Sequence, residues 1–295
     1  LISFLSYANR FYNPLRQLAA LWANFQVALA GWDRVSYILA LDSDMKTEPV
    51  SPTPVSSSLL EFKHVYFSYD GKNEILSDVS FKLDRGKTYA FIGPTGGGKT
   101  TNASLIARLY DPLKGTVFLD GRDIRSYSPA ERSRKIGFIL QDPFLFTGTV
   151  KDNILYGNER YRDNSNEDLV EALEEANLGV LLEKFDDGLD SKVTSGGDTL
   201  SLGQKQLIAF IRAVLRDPEI LILDEATANI DTVTEQLLEE ILKKLPGTTT
   251  RVIIAHRLNT IENADEIFFV NAGEVTAAGS MDHAMELLLH GERES

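Results

Sequence analysis

The chain has 295 residues, 43% hydrophobic and 25% charged, which is enough to bury a core and to form about two domains. Its 43 acidic residues outnumber its 30 Lys and Arg residues, and the net charge of −13 argues against nucleic acid as a partner. The sequence contains no Cys, which excludes disulfide bonds and thiolate metal sites.

Residues 1–41 carry the pattern of one long helix. Apolar residues recur there at helical spacing: Phe11, Leu15, Leu18, Leu21, Trp22, Phe25 and Leu29. Polar residues such as Arg10 and Asn24 keep every apolar stretch shorter than the ~18 to 20 residues of a membrane span. Two interpretations stay open, an amphipathic helix packed on a partner and the cytoplasmic end of a membrane helix. Because the sequence begins with Leu1, we expect it to be part of a longer protein.

A Pro- and Ser-rich stretch, residues 42–58, follows and predicts a linker. Short strands are then predicted from Leu59 onward, because "LEFKHVYFSY" (60–69) and "VSFKL" (79–83) alternate between apolar and polar residues. The run "TYAFI" (88–92) is continuously apolar, which is typical of a strand buried on both faces. We therefore expect a domain over residues 59–295.

The segment "GPTGGGKTT" (93–101) fits the phosphate-binding pattern GxxxxGK[ST]. In such a loop, backbone N–H groups and the N-terminus of the next helix surround phosphates, Lys99 contacts the outer phosphates and Thr100 ligates Mg²⁺. The alternative is a glycine turn that binds nothing. The residues assigned to this loop are Gly93, Pro94, Thr95, Gly96, Gly97, Gly98, Lys99, Thr100 and Thr101.

A second motif, "EILILDEATANID" (219–231), ends an apolar run in two acids. We expect Asp224 and Glu225 at the carboxyl end of a buried parallel strand, where open α/β sheets bind ligands. Asp224 would hold Mg²⁺, and Glu225 would orient or deprotonate an attacking water. The alternative is that either acid caps the next helix. Helix starts are also predicted at "SPAE" (128–131) and at "SNEDLVEALEEANL" (165–178).

The segment "LSLGQKQ" (200–206) precedes the acidic motif. Taken alone, Ser201 is an ordinary helix N-cap. The segment is nevertheless similar to the LSGGQ signature of ATP-binding cassette (ABC) ATPases, and it has the same position before the acidic strand as theirs. The combination of the three motifs is much more specific than any one of them.

The resemblance to ABC ATPases extends over nearly the whole chain and implies roles for further residues. Tyr69 resembles the aromatic residue that stacks on adenine, although a Tyr at a strand end can equally serve packing. Gln141 in "FILQDP" resembles the glutamine that senses Mg²⁺ and contacts the transmembrane part. Asp231 and His256 resemble the aspartate of the D-loop and the switch histidine. Signature residues Ser201, Gly203 and Gln204 are implied to approach the phosphates of ATP.

Two positions depart from the family pattern. Gly97 stands where Ser is common, which removes a hydroxyl and leaves the backbone amides. Leu202 stands where the signature has its first Gly, while Ser201 and Gly203 are kept. The turn "TSGGDT" (194–199) also lacks the charged pattern common in exporters, which puts its contact with the membrane domain in doubt.

The resemblance implies an α/β fold, a P-loop NTPase core with an antiparallel β subdomain and a helical subdomain at about 142–200. It further implies a head-to-tail dimer with a second nucleotide-binding domain, identical or different, and ATP sandwiched between the phosphate loop of one chain and Ser201 of the other. Residues 1–41 resemble the end of the last transmembrane helix of exporters that fuse membrane and ATPase domains. The domain would then lie at the cytoplasmic face of the cell membrane, attached to its own transmembrane domain and without contact to the transported substrate.

Other classes of protein share these motifs. Chromosome-maintenance ATPases insert a long coiled coil between the phosphate loop and the signature, whereas only about a hundred residues separate Lys99 from Ser201 here. ABC proteins that act on ribosomes usually carry two cassettes. A non-catalytic ATP-binding regulatory subunit is the better alternative, and Glu225 argues against it.

Overall fold

The computed structural model describes residues 2–42, 45–50, 58–197, 199–224, 232–254 and 263–279, together with residues 283 and 286. Contacts within the chain divide it into two units, Leu1–Lys46 and Thr47–Ser295. In the first unit a single helix, α1, spans Ile2–Leu39 and continues through Pro14. This confirms the long helix predicted at the start of the chain. Among the described residues, no helix is both long and apolar enough to cross a membrane.

The second unit is built around a six-stranded sheet with the order β12-β11-β3-β10-β9-β6. The strands are β3 (Thr88–Ile92), β6 (Ile136–Ile139), β9 (Ile220–Asp224), β10 (Thr250–Ile254), β11 (Glu266–Asn271) and β12 (Glu274–Ala277). All pairs are parallel except β11 with β12. Every residue of β3 and of β9 is buried, as their continuous apolar sequences predict.

Two smaller sheets complete the strands. An antiparallel sheet has the order β2-β1-β4-β5, formed by β1 (Leu60–Phe67), β2 (Leu76–Leu83), β4 (Lys114–Leu119) and β5 (Arg122–Asp123). A pair of two-residue strands, β7 (Gly148–Thr149) and β8 (Lys192–Val193), forms the third sheet. The alternating sequences of β1 and β2 match strands that bury one face, which confirms the antiparallel layer.

Seven helices follow α1 among the described residues. They are α2 (Lys99–Ile106), α3 (Pro129–Lys135), α4 (Val150–Ile154), α5 (Asn166–Glu175), α6 (Gly179–Leu182), α7 (Leu202–Val214) and α8 (Thr232–Lys244). Three short 3-10 helices span Ile124–Ser126, Gly188–Asp190 and Ser195–Gly197. The predicted capping box of α3 is present, because the Glu131 N–H donates to Ser128 Oγ at 3.2 Å and the Ser128 N–H donates to Glu131 Oε2 at 2.8 Å. The helix predicted within residues 165–178 is α5.

Two hydrophobic clusters lie on opposite faces of the six-stranded sheet. Ala90 and Ile92 of β3 belong to the cluster shared with helices α5 and α7, whereas Tyr89 and Phe91 belong to the cluster shared with the antiparallel sheet. This alternation follows from the two-residue period of a strand. β3 is therefore packed on both faces. This packing fixes the position of its carboxyl end, where the glycine-rich loop begins.

Candidate nucleotide site

The loop of residues 93–98 connects β3 to α2 and passes against the end of β11. Gly93, Gly96 and Gly98 have φ values of 140°, 83° and 110°, which L side chains rarely adopt. A Cβ atom on Gly93 would lie 2.0 Å from the carbonyl oxygen of Val270, and one on Gly97 would lie 2.6 Å from the same oxygen. The glycines therefore permit a close approach of two backbones. A serine at position 97 would require the loop to shift, so Gly97 is consistent with this packing.

The side chain of Lys99 lies inside the loop. Its Nζ donates hydrogen bonds to the carbonyl oxygens of Gly93 and Pro94, both at 2.9 Å, and the residue is only 6% exposed. The ammonium group of Lys99 is therefore held by the backbone of the loop. A cation in this position complements an anion bound by the loop amides and by the N-terminus of α2.

Thr100 and Asp224 meet although 124 residues separate them. The Thr100 hydroxyl donates to Asp224 Oδ1 at 3.3 Å, and Asp224 is buried at the end of β9. Asp224 is the last residue of β9, and residues 225–231, on which the alternative of a helix cap depends, lie outside the described residues. A hydroxyl and a carboxylate at one point are oxygen donors of the kind that Mg²⁺ prefers.

Tyr69 follows β1 and stands beside α2. Its hydroxyl is hydrogen-bonded to Thr101 Oγ1 at 3.2 Å, and its ring makes edge contacts with Phe67 and Tyr110 at centroid distances of 4.8 and 5.0 Å. The residue remains 53% exposed. Tyr69 is therefore packed on one side, and the exposed part of its ring can still accept a stacking partner.

Gln141 lies in an exposed segment two residues after β6. Its carbonyl oxygen accepts a hydrogen bond from Gln206 Nε2 at 3.2 Å, which ties this segment to α7. Its predicted roles toward Mg²⁺ and the transmembrane domain remain predictions.

Ser201 is the N-cap residue of α7, as its sequence context predicts. Its Oγ accepts from the Gln204 N–H at 3.1 Å, and Gln204 Oε1 accepts from the Ser201 N–H at 3.0 Å. Gln204 Nε2 also donates to the Lys184 carbonyl at 2.9 Å. Within the described part of the chain, the hydrogen bonds of Ser201 and Gln204 do not extend to the phosphate loop. Leu202, in the first turn of α7, is 36% exposed.

Three predicted site residues, Glu225, Asp231 and His256, lie outside the described residues. The strands that precede two of them in sequence are described, and Asp224 of β9 pairs with Ile254 of β10.

Asn102 is a residue of α2 that contacts the loop and that the sequence motifs did not indicate. It is fully buried, and its Nδ2 donates to the Gly98 carbonyl at 2.9 Å, which holds the end of the glycine loop from within α2. The available signal was a polar residue in the otherwise small and apolar stretch "NASLI".

The family model for "ABC transporter" proteins matches residues 76–228, which is just over half of the chain. This chain belongs to the ABC transporter family. The resemblance inferred from its motifs is thereby confirmed, and the P-loop core with its antiparallel and helical parts is the ABC nucleotide-binding fold.

Curated ABC relatives match the chain over nearly all of its length. It is 42% identical to an uncharacterized ABC transporter ATP-binding protein, YfiC of Bacillus subtilis, over 96% of this chain and 46% of YfiC. It is 37% identical to a fatty acid ABC transporter ATP-binding/permease protein of Mycobacterium bovis, over 98% of this chain and 45% of the relative. The chain thus spans about half the length of the curated relatives it matches.

A solved ABC structure is also similar. The structure of a bacterial Atm1-family ABC exporter with ATP bound has a TM-score of 0.77 and 30% sequence identity, covering 97% of this chain and 49% of that chain. Family, fold and exporter-type relatives therefore agree with one another.

Proposed function

We propose that this chain binds ATP and hydrolyses it in an Mg²⁺-dependent reaction that drives the conformational cycle of an ABC exporter. One observation carries the proposal. Lys99 is held within the phosphate loop, and the next residue, Thr100, is hydrogen-bonded to Asp224 at the carboxyl end of the sheet. A glycine turn that binds no ligand would not require the buried Lys99 and the buried Asp224 beside it.

The residues present fit the triphosphate of ATP. The glycines keep the loop backbone free of side chains, Lys99 supplies a positive charge, and α2 presents its N-terminus. A neighbouring set of residues fits Mg²⁺. The Thr100 hydroxyl and Asp224 would hold the ion, with Gln141 as a further oxygen donor. When bound, the ion would neutralise charge on the outer phosphates.

The reaction itself is assigned by family resemblance to residues outside the described part of the chain. Glu225, next in sequence to Asp224, would orient the attacking water and accept its proton. His256 would contact the transferred phosphate, and Asp231 would contact the partner domain. Tyr69 would stack on the adenine.

The signature segment is proposed to act on the ATP of a second nucleotide-binding domain, identical or different. Ser201, Gly203 and Gln204 stand at the start of α7, and the cap bonds there keep the helix end well ordered. The N-terminus of a 13-residue helix favours an approaching phosphate. An ABC exporter with ATP bound is among the similar structures, which supports ATP as the ligand.

The domain organisation follows as part of the proposal. Residues 59–295 would be the ATPase domain with its helical subdomain at about 142–200, residues 42–58 the linker, and residues 1–41 the cytoplasmic end of the last transmembrane helix. Relatives named ATP-binding/permease proteins support attachment to a transmembrane domain. The ATPase domain would lie at the cytoplasmic face of the membrane, without contact to the exported substrate.

A mixing experiment tests both hydrolysis and the head-to-tail arrangement. Phosphate release from ATP is measured with Mg²⁺ for the wild-type chain, for Lys99→Ala and for Ser201→Arg. We expect activity in the wild type and little in either variant, because Lys99→Ala removes a charge-assisted contact worth about 1.5 to 3 kcal/mol and Ser201→Arg blocks the signature. Mixing the two inactive variants should restore part of the activity, because a mixed dimer contains one site with both residues intact.

The controls are mixtures of wild type with each variant, which report whether a dimer with one intact site hydrolyses ATP. If they do and the variant mixture stays inactive, Lys99 and Ser201 act within one chain and the sandwich is wrong. If the wild-type chain binds ATP without releasing phosphate, even with a partner chain present, it is a non-catalytic subunit.

A further inference from the structure

Two exposed tyrosines from different parts of the chain meet beside the phosphate-loop helix α2. Tyr69 follows β1, and Tyr110 follows α2. Their ring centroids are 5.0 Å apart and their planes stand at 85°, so one ring presents its edge to the face of the other. Phe67, which is only 3% exposed, forms the floor of this cluster at 4.8 Å from Tyr69 and 5.6 Å from Tyr110.

Three residues of the described part of the chain restrict the orientation of the Tyr69 ring. Phe67 and Tyr110 contact the ring, and Thr101 of α2 is hydrogen-bonded to its hydroxyl. Phe67 is near in sequence and Thr101 binds only the tip of the side chain. Among the ring contacts of the described residues, the contact of Tyr110 with Tyr69 is the one that comes from a different element.

The segment that carries Tyr110 is anchored on both sides. Arg108 is 2% exposed, and its Nε and Nη2 donate to the two carboxylate oxygens of Asp111 at 2.8 and 3.1 Å, so the ion pair brackets Tyr110. Arg108 Nη1 donates to the Arg125 carbonyl at 3.0 Å. The Leu113 N–H donates to the Tyr66 carbonyl at 2.9 Å, which joins the segment to β1. The backbone segment that carries Tyr110 is thus held in place on both sides of the residue.

We propose that Tyr110 is a positioning residue for nucleotide binding, which fixes the plane of the Tyr69 ring so that it stacks on the base. The inference rests on the proposed role of Tyr69 toward adenine. It has a specific consequence, because a support for the base platform contributes to the affinity for ATP and contributes nothing to the affinity for the triphosphate alone. A residue that only stabilises the loop would affect both ligands.

The experiment measures dissociation constants of the full chain for ATP and for inorganic tripolyphosphate, by displacement of a fluorescent nucleotide. Tyr110→Leu should weaken ATP binding roughly three- to tenfold, the range expected for one lost aromatic pair. It should leave tripolyphosphate binding within about twofold and lower the apparent affinity in ATPase assays without lowering kcat. Tyr110→Phe keeps the ring and should bind both ligands as the wild type does.

Tyr156→Leu is the matched control, because Tyr156 is also exposed, at 53% against 44% for Tyr110, and stacks on Phe146 in a different aromatic pair. It should bind both ligands normally. A cycle with Tyr69→Leu adds a second criterion: in that background Tyr110→Leu should weaken ATP binding no further, because the ring that it supports is gone. Thermal unfolding of each variant verifies folding, and Tyr110→Gln replaces Tyr110→Leu if the latter is unfolded.

Each outcome decides the proposal. Normal ATP binding by Tyr110→Leu, with weakened binding by Tyr69→Leu, overturns it, and so does an equal loss for ATP and tripolyphosphate. Normal ATP binding by Tyr69→Leu would instead disprove the proposed role of Tyr69, and the inference about Tyr110 would fall with it.

Discussion

Asp70 stabilises the turn that follows Tyr69 through hydrogen bonds of its carboxylate. Its Oδ1 accepts hydrogen bonds from the Lys72 and Asn73 N–H groups, both at 2.8 Å, and from the Ser68 hydroxyl at 2.9 Å. The N–H of Asn73, then that of Lys72 and the Ser68 hydroxyl, hold the pKa of Asp70 well below its usual range. A carboxylate with three such donors orders a short turn because each bond favours the ionised form.

We predict that Asp70→Ala lowers the free energy of unfolding at neutral pH and that the loss depends on pH. A depressed pKa in the folded state stabilises the fold above the unfolded pKa of about 3.9, and this contribution disappears as the pH falls through the folded pKa. The difference between wild type and variant should therefore be constant from about pH 6 to 8 and shrink below about pH 4. Urea unfolding at several pH values measures it, with exposed Asp163→Ala as control. A difference that persists unchanged in acid would contradict a role for the ionised carboxylate.

At the level of secondary structure, Ser201 has two separable roles, the observed cap of α7 and the proposed approach to a phosphate. Asp and Asn both cap helices about as well as Ser, but only Asp places a negative charge at the helix N-terminus where the phosphate would arrive. The two substitutions therefore separate capping from anion binding.

We predict that Ser201→Asp and Ser201→Asn both leave the unfolding free energy within about 0.5 kcal/mol of the wild type. ATPase activity should fall more than tenfold further in Ser201→Asp than in Ser201→Asn, since like charges in a closed site cost at least the ~1.4 kcal/mol of a tenfold effect. Thermal unfolding and phosphate release measure the two properties. Equal activity of the two variants would mean that no anion approaches this helix end.

For the fold as a whole, four charged side chains join the antiparallel sheet to the six-stranded sheet. Arg85, in the turn between β2 and β3, donates to Glu219 just before β9 at 2.7 Å and also pairs with Asp120 at the end of β4. Lys135, at the end of α3, donates to Asp120 at 2.8 Å and pairs with Glu219. Partial burial raises the pKa of Glu219, but its bonds with Lys135 and Arg85 outweigh this effect and lower it.

We predict that Glu219→Gln costs about 1 kcal/mol of unfolding free energy at pH 7, a value reduced from that of a buried pair because these side chains are partly exposed. The lowered pKa of Glu219 means that its contribution is complete above about pH 4.3 and is lost as the pH falls. Urea unfolding measures the effect, with Glu274→Gln on exposed β12 as control. An equal loss in both variants would show that the network does not stabilise the joined sheets.

Local patterns were sufficient to predict much of this protein. The apolar run of β3, the glycines that follow it, and the caps at Ser128, Ser165 and Ser201 depend on residues within a few positions of one another. Periodicity and capping chemistry are short-range, so the order of strands and helices around the phosphate loop could be read from the chain. The family resemblance of the motifs added the roles of the site residues.

Contacts between residues distant in sequence, which assemble the candidate site, were decided only by the tertiary structure. The Thr100–Asp224 contact, the approach of Val270 to Gly93 and Gly97, and the ring contact of Tyr69 with Tyr110 join residues far apart in the chain. They exist because β3 lies between β11 and β10, with β9 one strand farther, and because the segment after α2 lies beside the end of β1. Strand order follows from how all the apolar faces are buried together, so no local pattern contains it.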